Sequence, residues 1–294
     1  MPRRRLTDAE RDERRQADRQ RSRDAIDRLR SSEGWRQWLA ARRHFRVYSL
    51  TNQLLIAIQR PDATRVAGFR AWLKLGYAVR RGERAIRIWV PMSVRDRDAD
   101  DPYARKTIFK TGAVFDHAQV DPMPPPAQPV PLDPPIEAIE GNSHAHLIAP
   151  LTALARELGV TIAFEAIPDT SAGSFNPRKR AIVVDDSGPV NGQVATLIHK
   201  LAHALCALEP GQERPELSYA QEELVVESVA YTVTGAAGLD VSGASIPYLT
   251  SWSEEAPIEV IEQTAGLIDR LARRIEEAIG AIGVIELEEG EQAA

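Results

Sequence analysis

Apolar residues between positions 194 and 205 recur with the spacing of one face of an α-helix. Intervals of 3, 4, 7 and 8 residues are typical of a helix with a single buried stripe. The residues with this spacing are Val194, Leu197, Ile198, Leu201, Ala202 and Leu205. His199 and His203 lie four residues apart on the same helix. Residues four apart stand one above the other, so both rings can reach one metal ion.

A second helical pattern follows over residues 219–231 and carries two carboxylates with the same spacing. Glu223 and Glu227 are four residues apart, which places them on one side of that helix. A His-x-x-x-His pair with a glutamate from a following helix is the ligand set of a catalytic zinc site with one open position. Two structural histidines on a core helix are the alternative interpretation.

The first 120 residues have shorter patterns that predict a compact α+β domain over 33–120. Helical patterns occupy 35–43 and 49–59, a strand leads into a helix over 66–76, and strands follow over 84–90 and 107–116. Arg60-Pro61-Asp62 ends the second helix, and Arg81-Gly82 forms the turn into a strand.

Changes in composition predict the domain boundaries. Residues 1–32 are charge-dense with few large apolar side chains, which predicts a solvated helix or a disordered arm. Residues 121–135 contain eight prolines and predict an extended, semi-rigid linker. Residues 136–285 then form a second α+β domain. Its strands are expected over 161–165, 173–176 and 181–185, and an amphipathic helix over 257–279.

Charge is distributed unevenly between the two halves of the chain. The net charge is −5, but residues 1–120 contain 28 Lys and Arg against 15 Asp and Glu, a net of +13. The remaining residues contain 9 against 27, a net of −18. A basic half joined to an acidic half indicates that the first half meets a polyanion.

Within the basic half, aromatic residues such as Trp35, Phe69 and Trp72 are interleaved with basic residues. Proteins that bind single strands need flat rings to stack bases and cations to follow phosphates. The candidate contacts are Arg42, Arg43, Arg46, Tyr48, Arg70, Trp72, Lys74, Arg80, Arg81, Arg84 and Arg87. Core packing is the alternative for each single aromatic residue, but 13 basic against 3 acidic residues over 33–95 favours nucleic acid.

The histidine and glutamate pattern resembles a gluzincin-type zinc metallopeptidase, with a 20-residue gap from His203 to Glu223 similar to the thermolysin arrangement. The resemblance implies that His199, His203 and Glu223 are zinc ligands, and that Glu227 orients a ligand imidazole. One position departs from the family. The general-base glutamate that follows the first histidine is Lys200 here, and a charged lysine cannot accept a proton from water.

The first domain closely resembles the N-terminal single-stranded-DNA-binding domain of ArdC-type antirestriction proteins, which is related to that of TraC-type primases. The resemblance is carried by YSLTNQLLIAIQRPDATRVAGFRAW at 48–72, LGYAVRRGERAIRIWVP at 75–91 and VFDHAQV at 114–120. In that family the domain precedes a zincin-like metallopeptidase domain. The implied architecture is a small α+β domain that binds single-stranded DNA, followed by a gluzincin-like α+β domain.

Other classes are disfavoured by composition. The longest apolar runs fall short of the ~18 residues that a membrane span needs, and no apolar stretch of a secretory signal follows the basic N-terminus. Cys206 is the single cysteine, so no disulfide can form within the chain, and it is expected to pack as a small core residue. A cytoplasmic protein without a membrane partner is therefore expected.

Two functional hypotheses remain. The first is a DNA-bound zinc peptidase that acts on a protein substrate on DNA. The second is a single-strand-binding protein whose zincin domain is a catalytically silent scaffold, so that it protects DNA or blocks a nuclease. Residue 200 discriminates between them, because the first hypothesis requires a base near the metal.

Overall fold

The computed structural model of the protein describes residues 8–95, 104–125, 127–129, 141–168, 171–208, 217–241 and 257–280. It contains both helices and strands, as the sequence indicates, and it divides into two compact units. Unit 1 comprises residues 1–28, 51–131 and 284–294, and unit 2 comprises residues 29–50 and 132–283.

The helices run in chain order as α1 (Asp8–Asp27), α2 (Ser32–Arg42), α3 (Leu50–Gln59), α4 (Phe69–Lys74), α5 (Ile148–Glu157), α6 (Val190–Leu208), α7 (Tyr219–Ala236) and α8 (Ile258–Ala278). The strands are β1 (Val66–Gly68), β2 (Tyr77–Val79), β3 (Ile86–Arg95), β4 (Arg105–Asp116), β5 (Val120–Pro122), β6 (Thr161–Phe164), β7 (Gly173–Asn176) and β8 (Ala181–Val184). Within the described residues, no helix is both long and apolar enough to cross a membrane.

Unit 1 is built on an antiparallel sheet in the order β1-β4-β3, with β2 and β5 as a separate antiparallel pair. The long β3–β4 hairpin pairs Ile86 with Val114 at one end and Arg95 with Arg105 at the other. Side chains alternate between the two faces of a strand. Accordingly Ile86, Ile88 and Val114 are buried.

Helix α1 packs on the β3–β4 hairpin through residues spaced along one face. Asp18 is buried, and its carboxylate accepts hydrogen bonds from Arg87 Nη2 and Thr111 Oγ1, each at 2.7 Å. One turn later, Ser22 Oγ accepts from Trp89 Nε1 at 2.7 Å. The segment expected to be a solvated helix or a disordered arm is therefore a helix that supplies a buried carboxylate to unit 1.

The first part of the proline-rich segment lies against unit 1. β5 pairs with β2, and the Met123 amide donates to the Gly76 carbonyl at 2.8 Å. Gly76 has φ +83°, and a Cβ at this position would lie 2.8 Å from Pro129 Cα. Only glycine adopts this conformation without strain, and only glycine leaves room for the proline chain. Residues 130–140, within the expected linker and the start of the second domain, lie outside the described residues.

Unit 2 places α6 at the centre of its packing. α6 contacts α5, α7, α8 and the strands β7 and β8. Val194, Leu197, Ile198, Leu201, Ala202 and Leu205 are buried, so the apolar stripe inferred from the sequence is confirmed. β8 forms the middle of a three-stranded sheet, parallel to β6 and antiparallel to β7.

The units divide the chain differently from the ranges expected from sequence, because residues 29–50 belong to unit 2. On α2, Trp35, Trp38 and Arg42 are fully buried. Arg42 pairs with Asp269 and Glu276 of α8, more than 220 positions away in sequence. Local patterns carry no information about a contact at this separation, so they group α2 with the residues that follow it.

Candidate metal centre and nucleic-acid surface

Three side chains from two helices of unit 2 converge as the sequence predicts. His199 and His203 of α6 and Glu223 of α7 each offer one ligand atom, and these atoms all lie within 4.8 Å of one another. The two imidazole rings are 5.1 Å apart between centroids. The start of α7 is held by a capping box. Ser218 Oγ accepts from the Gln221 amide, and the Gln221 side chain accepts from the Ser218 amide.

The environment of His199 suits a metal ligand. Its Nε2 is buried and has no hydrogen-bond partner among the described residues. Burial, together with the charge of Lys200 and the neighbouring His203, lowers the pKa of His199 to about 4. The ring is therefore neutral at pH 7, with a lone pair that no described donor occupies. A buried polar atom without a partner is costly, and a cation bound to it removes that cost.

The ring of His203 lies between two carboxylates of α7. Its Nδ1 is 3.4 Å from Glu222 Oε1, and its Nε2 is 3.8 Å from Glu223 Oε1. Glu222 thus contacts the nitrogen that faces away from the ligand cluster. Consecutive residues lie about 100° apart on a helix, so Glu222 and Glu223 point in different directions. His203 approaches between these two directions, so both carboxylates reach it.

Glu227, which the family resemblance gives the role of orienting an imidazole, lies on the exposed side of α7. It makes no hydrogen bond to either histidine in the described part of the chain. Partial desolvation and the nearby charge of Glu223 raise the pKa of the Glu227 carboxyl. Glu227 therefore interacts with the cluster through charge repulsion with Glu223. The carboxylate in the position expected of the orienting group is that of Glu222.

Two further groups surround the cluster. Lys200 is half-buried, and burial lowers the pKa of its amine although the charge of Glu223 opposes this. Tyr219, at the start of α7, is 79% exposed and its hydroxyl hydrogen-bonds with Glu223, which raises the pKa of the phenol. The sequence signal for Tyr219 was its spacing of four residues before Glu223.

Several expected DNA contacts are inside the protein, and for these the prediction is wrong. Arg42 has no exposed surface and is held by Glu276 at 2.6 Å and Asp269 at 3.0 Å. Trp72 is fully buried and its Nε1 donates to the Phe115 carbonyl at 2.8 Å. Tyr48 is 6% exposed. In each case the side chain is part of the core.

The other expected contacts differ in accessibility. Arg87 is half-buried in its pair with Asp18 at 2.7 Å. Arg43 and Arg46, in unit 2, are also half-buried. The exposed members are Arg70, Lys74, Arg80, Arg81 and Arg84, all in unit 1. Arg80 is engaged by Glu83 and Asp121, whereas the side chains of Arg70, Arg81 and Arg84 make no ion pair with a described residue.

Helix α4 presents an apolar and basic surface to solvent. Phe69 is 51% exposed and Leu73 is 40% exposed, one turn apart. Arg70 and Lys74, also one turn apart, are exposed beside them. We call these four residues the α4 face. A second exposed aromatic, Phe109, is 64% exposed on β4 between Lys106 and Lys110. Sequence reasoning missed it as a candidate, although its alternation with Ile108 was a usable signal.

Comparison with known proteins finds a family model that matches part of the chain. Residues 24–115 match the family model for the N-terminal domain of anti-restriction factor ArdC. Two crystal structures of the antirestriction ArdC protein from the R388 plasmid are similar to this chain. The metal-free structure has 19% identity and a TM-score of 0.47, and covers 79% of this chain and 81% of that one. The Mn(II)-bound structure has 20% identity and a TM-score of 0.45, with 78% and 83% covered. No curated protein matches the chain in sequence.

Proposed function

We propose that the chain is an antirestriction protein of the ArdC type that binds single-stranded DNA through unit 1, because residues 24–115 match the family model for the ArdC N-terminal domain. We further propose that unit 2 is a zincin-like domain whose metal centre is intact but whose peptidase activity is weak or absent. DNA-associated proteolysis of a protein substrate is the alternative, and it depends on residue 200.

The α4 face is the observation that carries the DNA-binding proposal. Phe69 exposes half of its surface although burial of an aromatic ring is favourable, and Leu73 extends the apolar area. Arg70 and Lys74 lie on the same exposed side. An exposed ring can stack on a base of any sequence, and adjacent cations can follow the phosphates, which is the combination that single-strand binders use.

Fluorescence anisotropy of a labelled oligothymidine with the full chain tests this proposal. Phe69→Ala should weaken binding about 5- to 150-fold, since stacking contributes ~1–3 kcal/mol per base. Wild-type affinity should fall steeply as salt increases, because bound phosphates release counterions. Val47, 41% exposed in unit 2, supplies the control Val47→Ala. Equal weakening in both variants, or an affinity that does not respond to salt, would contradict the proposal.

The metal proposal is supported by the donor set and by the unpartnered Nε2 of His199. Two imidazoles and a carboxylate suit zinc, and they also accept Mn(II). Lewis-acid activation is the chemistry that zinc supplies in such sites. The protein's own groups hold His199 neutral through burial and place Glu222 against His203 Nδ1.

Equilibrium dialysis of the full chain against zinc and against Mn(II), followed by elemental analysis, tests the ligand set. We expect about one ion per chain and its loss in His203→Ala. Glu227→Gln is the matched control and should keep the ion. Retention of a full equivalent by His203→Ala would show that the ion binds elsewhere.

A further inference from the structure

Unit 1 contains a cavity of about 440 Å³ beside the end of α3. It is lined by Gln59 and Arg60 at the end of that helix, by the Gly82–Ile86 segment between β2 and β3, and by Gln119. Small-molecule sites in proteins have volumes of roughly 300–1,000 Å³. The cavity is therefore large enough for one nucleotide.

Arg60 lies within ion-pair distance of two carboxylates, but its Nε donor has no hydrogen-bond acceptor among the described residues. Its Nε is buried and has no hydrogen-bond partner there, and its nearest carboxylate oxygens are 3.7 Å away in Asp62 and 3.9 Å away in Asp116. Asp116 is already occupied by the amides of Thr64, Arg65 and Ala118. The side chain is 28% exposed, so part of the guanidinium can reach a ligand in the cavity.

Arg84 supplies a second cation to the same cavity. Its side chain is exposed and makes no ion pair with a described residue. Glu83 is the acidic residue among the described residues of the lining, and its carboxylate is held by two donors. Its Oε1 accepts from Arg80 at 3.1 Å, and its Oε2 accepts from Gln119 Nε2 at 2.9 Å. Two arginines, Arg60 and Arg84, and one carboxylate, Glu83, therefore line the cavity.

We propose that this cavity binds one nucleotide of a single DNA strand by its phosphate group, with Arg60 and Arg84 as the donors. Guanidinium groups form two parallel hydrogen bonds with phosphate oxygens, which a point charge cannot do. The inference rests on the proposed binding of single-stranded DNA by unit 1. It adds a phosphate subsite whose lining shares no residue with the α4 face.

The test is the salt dependence of oligothymidine binding by the full-length variants Arg60→Gln and Arg84→Gln. Each lost phosphate contact should make the slope of log affinity against log salt shallower by about 0.7 for a single strand. Each variant should also bind about tenfold or more weakly, because hydrogen bonds to charged groups are strong. Arg178→Gln, which removes an exposed cation from unit 2, should keep the wild-type slope and affinity.

The outcomes separate this inference from the proposed function. Salt-dependent wild-type binding with unchanged slopes in both variants would overturn the subsite and leave the DNA-binding function standing. Absence of salt-dependent wild-type binding would overturn both. Inorganic phosphate that competes as well as thymidine monophosphate would overturn the nucleotide assignment, because a small anion would then suffice. Thermal melting of Arg60→Gln shows whether this variant folds. Arg84 is exposed, so Arg84→Gln is expected to fold like the wild type.

Discussion

At the scale of single residues, the position of one carboxylate decides how the candidate metal centre is held. The family resemblance implied that Glu227 is the orienting group, but Glu222 contacts His203 Nδ1 at 3.4 Å. A carboxylate on the outer nitrogen fixes the tautomer, so that the other nitrogen faces the ligand cluster. Glu222 is in this sense a positioning residue.

Glu222→Gln is expected to lower zinc affinity by about 10- to 100-fold, as loss of such outer contacts typically does. Glu227→Gln should change it little, because Glu227 is exposed and makes no hydrogen bond to the histidines in the described residues. Competition with a chromophoric chelator measures both affinities without any activity assay. A larger loss in Glu227→Gln than in Glu222→Gln would restore the assignment made from the family pattern.

Lys200→Glu is expected to create or raise chelator-sensitive cleavage of casein or of the protein itself. A positioned base contributes roughly 100- to 10,000-fold to such reactions, and Lys200 cannot accept a proton while it is charged. Lys200→Gln is the matched control, because it removes the charge without supplying a base. Robust cleavage by the wild-type chain would mean that another residue is the base. The affinity for DNA should be equal in the wild type and in both variants.

At the scale of secondary-structure elements, α2 is attached to α8 by a buried ion pair. Arg42 is fully enclosed, and it donates both to Glu276, which has no exposed surface, and to Asp269. Arg273 also holds Asp269 at 3.0 Å. Removal of one partner leaves a buried charge without compensation, and this is the costly change at such sites.

Arg42→Met is expected to lower the free energy of unfolding of unit 2 by about 3–5 kcal/mol, because Glu276 and Asp269 lose their buried partner. Arg36→Met, at an exposed position of the same helix, should change it little. Chemical denaturation followed by circular dichroism measures the difference. Equal, small effects in both variants would mean that solvent reaches the two carboxylates.

α1 and the β3–β4 hairpin are expected to separate more easily in acid. Burial alone raises the pKa of Asp18, but hydrogen bonds from Arg87, Thr111 and Arg21 outweigh it and hold the pKa below the usual 3.8. A depressed pKa stabilises the folded state above about pH 4, and this contribution is lost as pH falls below 3.8. Asp18→Asn should therefore flatten the acid limb of a plot of unfolding free energy against pH, measured by denaturation at each pH. Asp24→Asn, at an exposed position of α1, should leave that limb unchanged.

At the scale of the whole molecule, the two units divide the chemistry between them. The exposed basic residues among the expected DNA contacts lie in unit 1, and the ligand cluster lies in unit 2. The charge division along the chain has the same sign order, with +13 over residues 1–120 and −18 over the rest, although residues 29–50 of the basic half belong to unit 2. We therefore expect metal and DNA to act on the stability of different units.

Added zinc is expected to raise the melting temperature of unit 2, because a ligand that binds only the folded state stabilises it. Oligothymidine affinity should be the same with zinc and with a chelator. Differential scanning calorimetry with and without zinc measures the first effect, and anisotropy measures the second. His203→Ala should abolish the zinc-dependent shift, and a shift that persists in this variant would place the ion elsewhere.

The sequence by itself predicted the helices and strands of unit 2, grouped the two histidines with Glu223, and indicated a resemblance to the ArdC N-terminal domain, whose family model matches residues 24–115. Local periodicity suffices for α6 and α8, because one buried helix face leaves a regular apolar pattern. The strands expected over 161–165, 173–176 and 181–185 agree with β6, β7 and β8. Most of the ArdC-type resemblance was carried by segments within the range that the family model matches.

Only the tertiary structure decided which charged and aromatic side chains face solvent. A sequence cannot distinguish the buried Arg42 and Trp72 from the exposed Arg70 and Phe69, because burial depends on partners such as Asp269 and Phe115 far along the chain. The same holds for Glu222, whose contact with His203 depends on how α7 packs against α6. Periodicity reports one helix at a time, whereas the direction from which a neighbour approaches is set by packing.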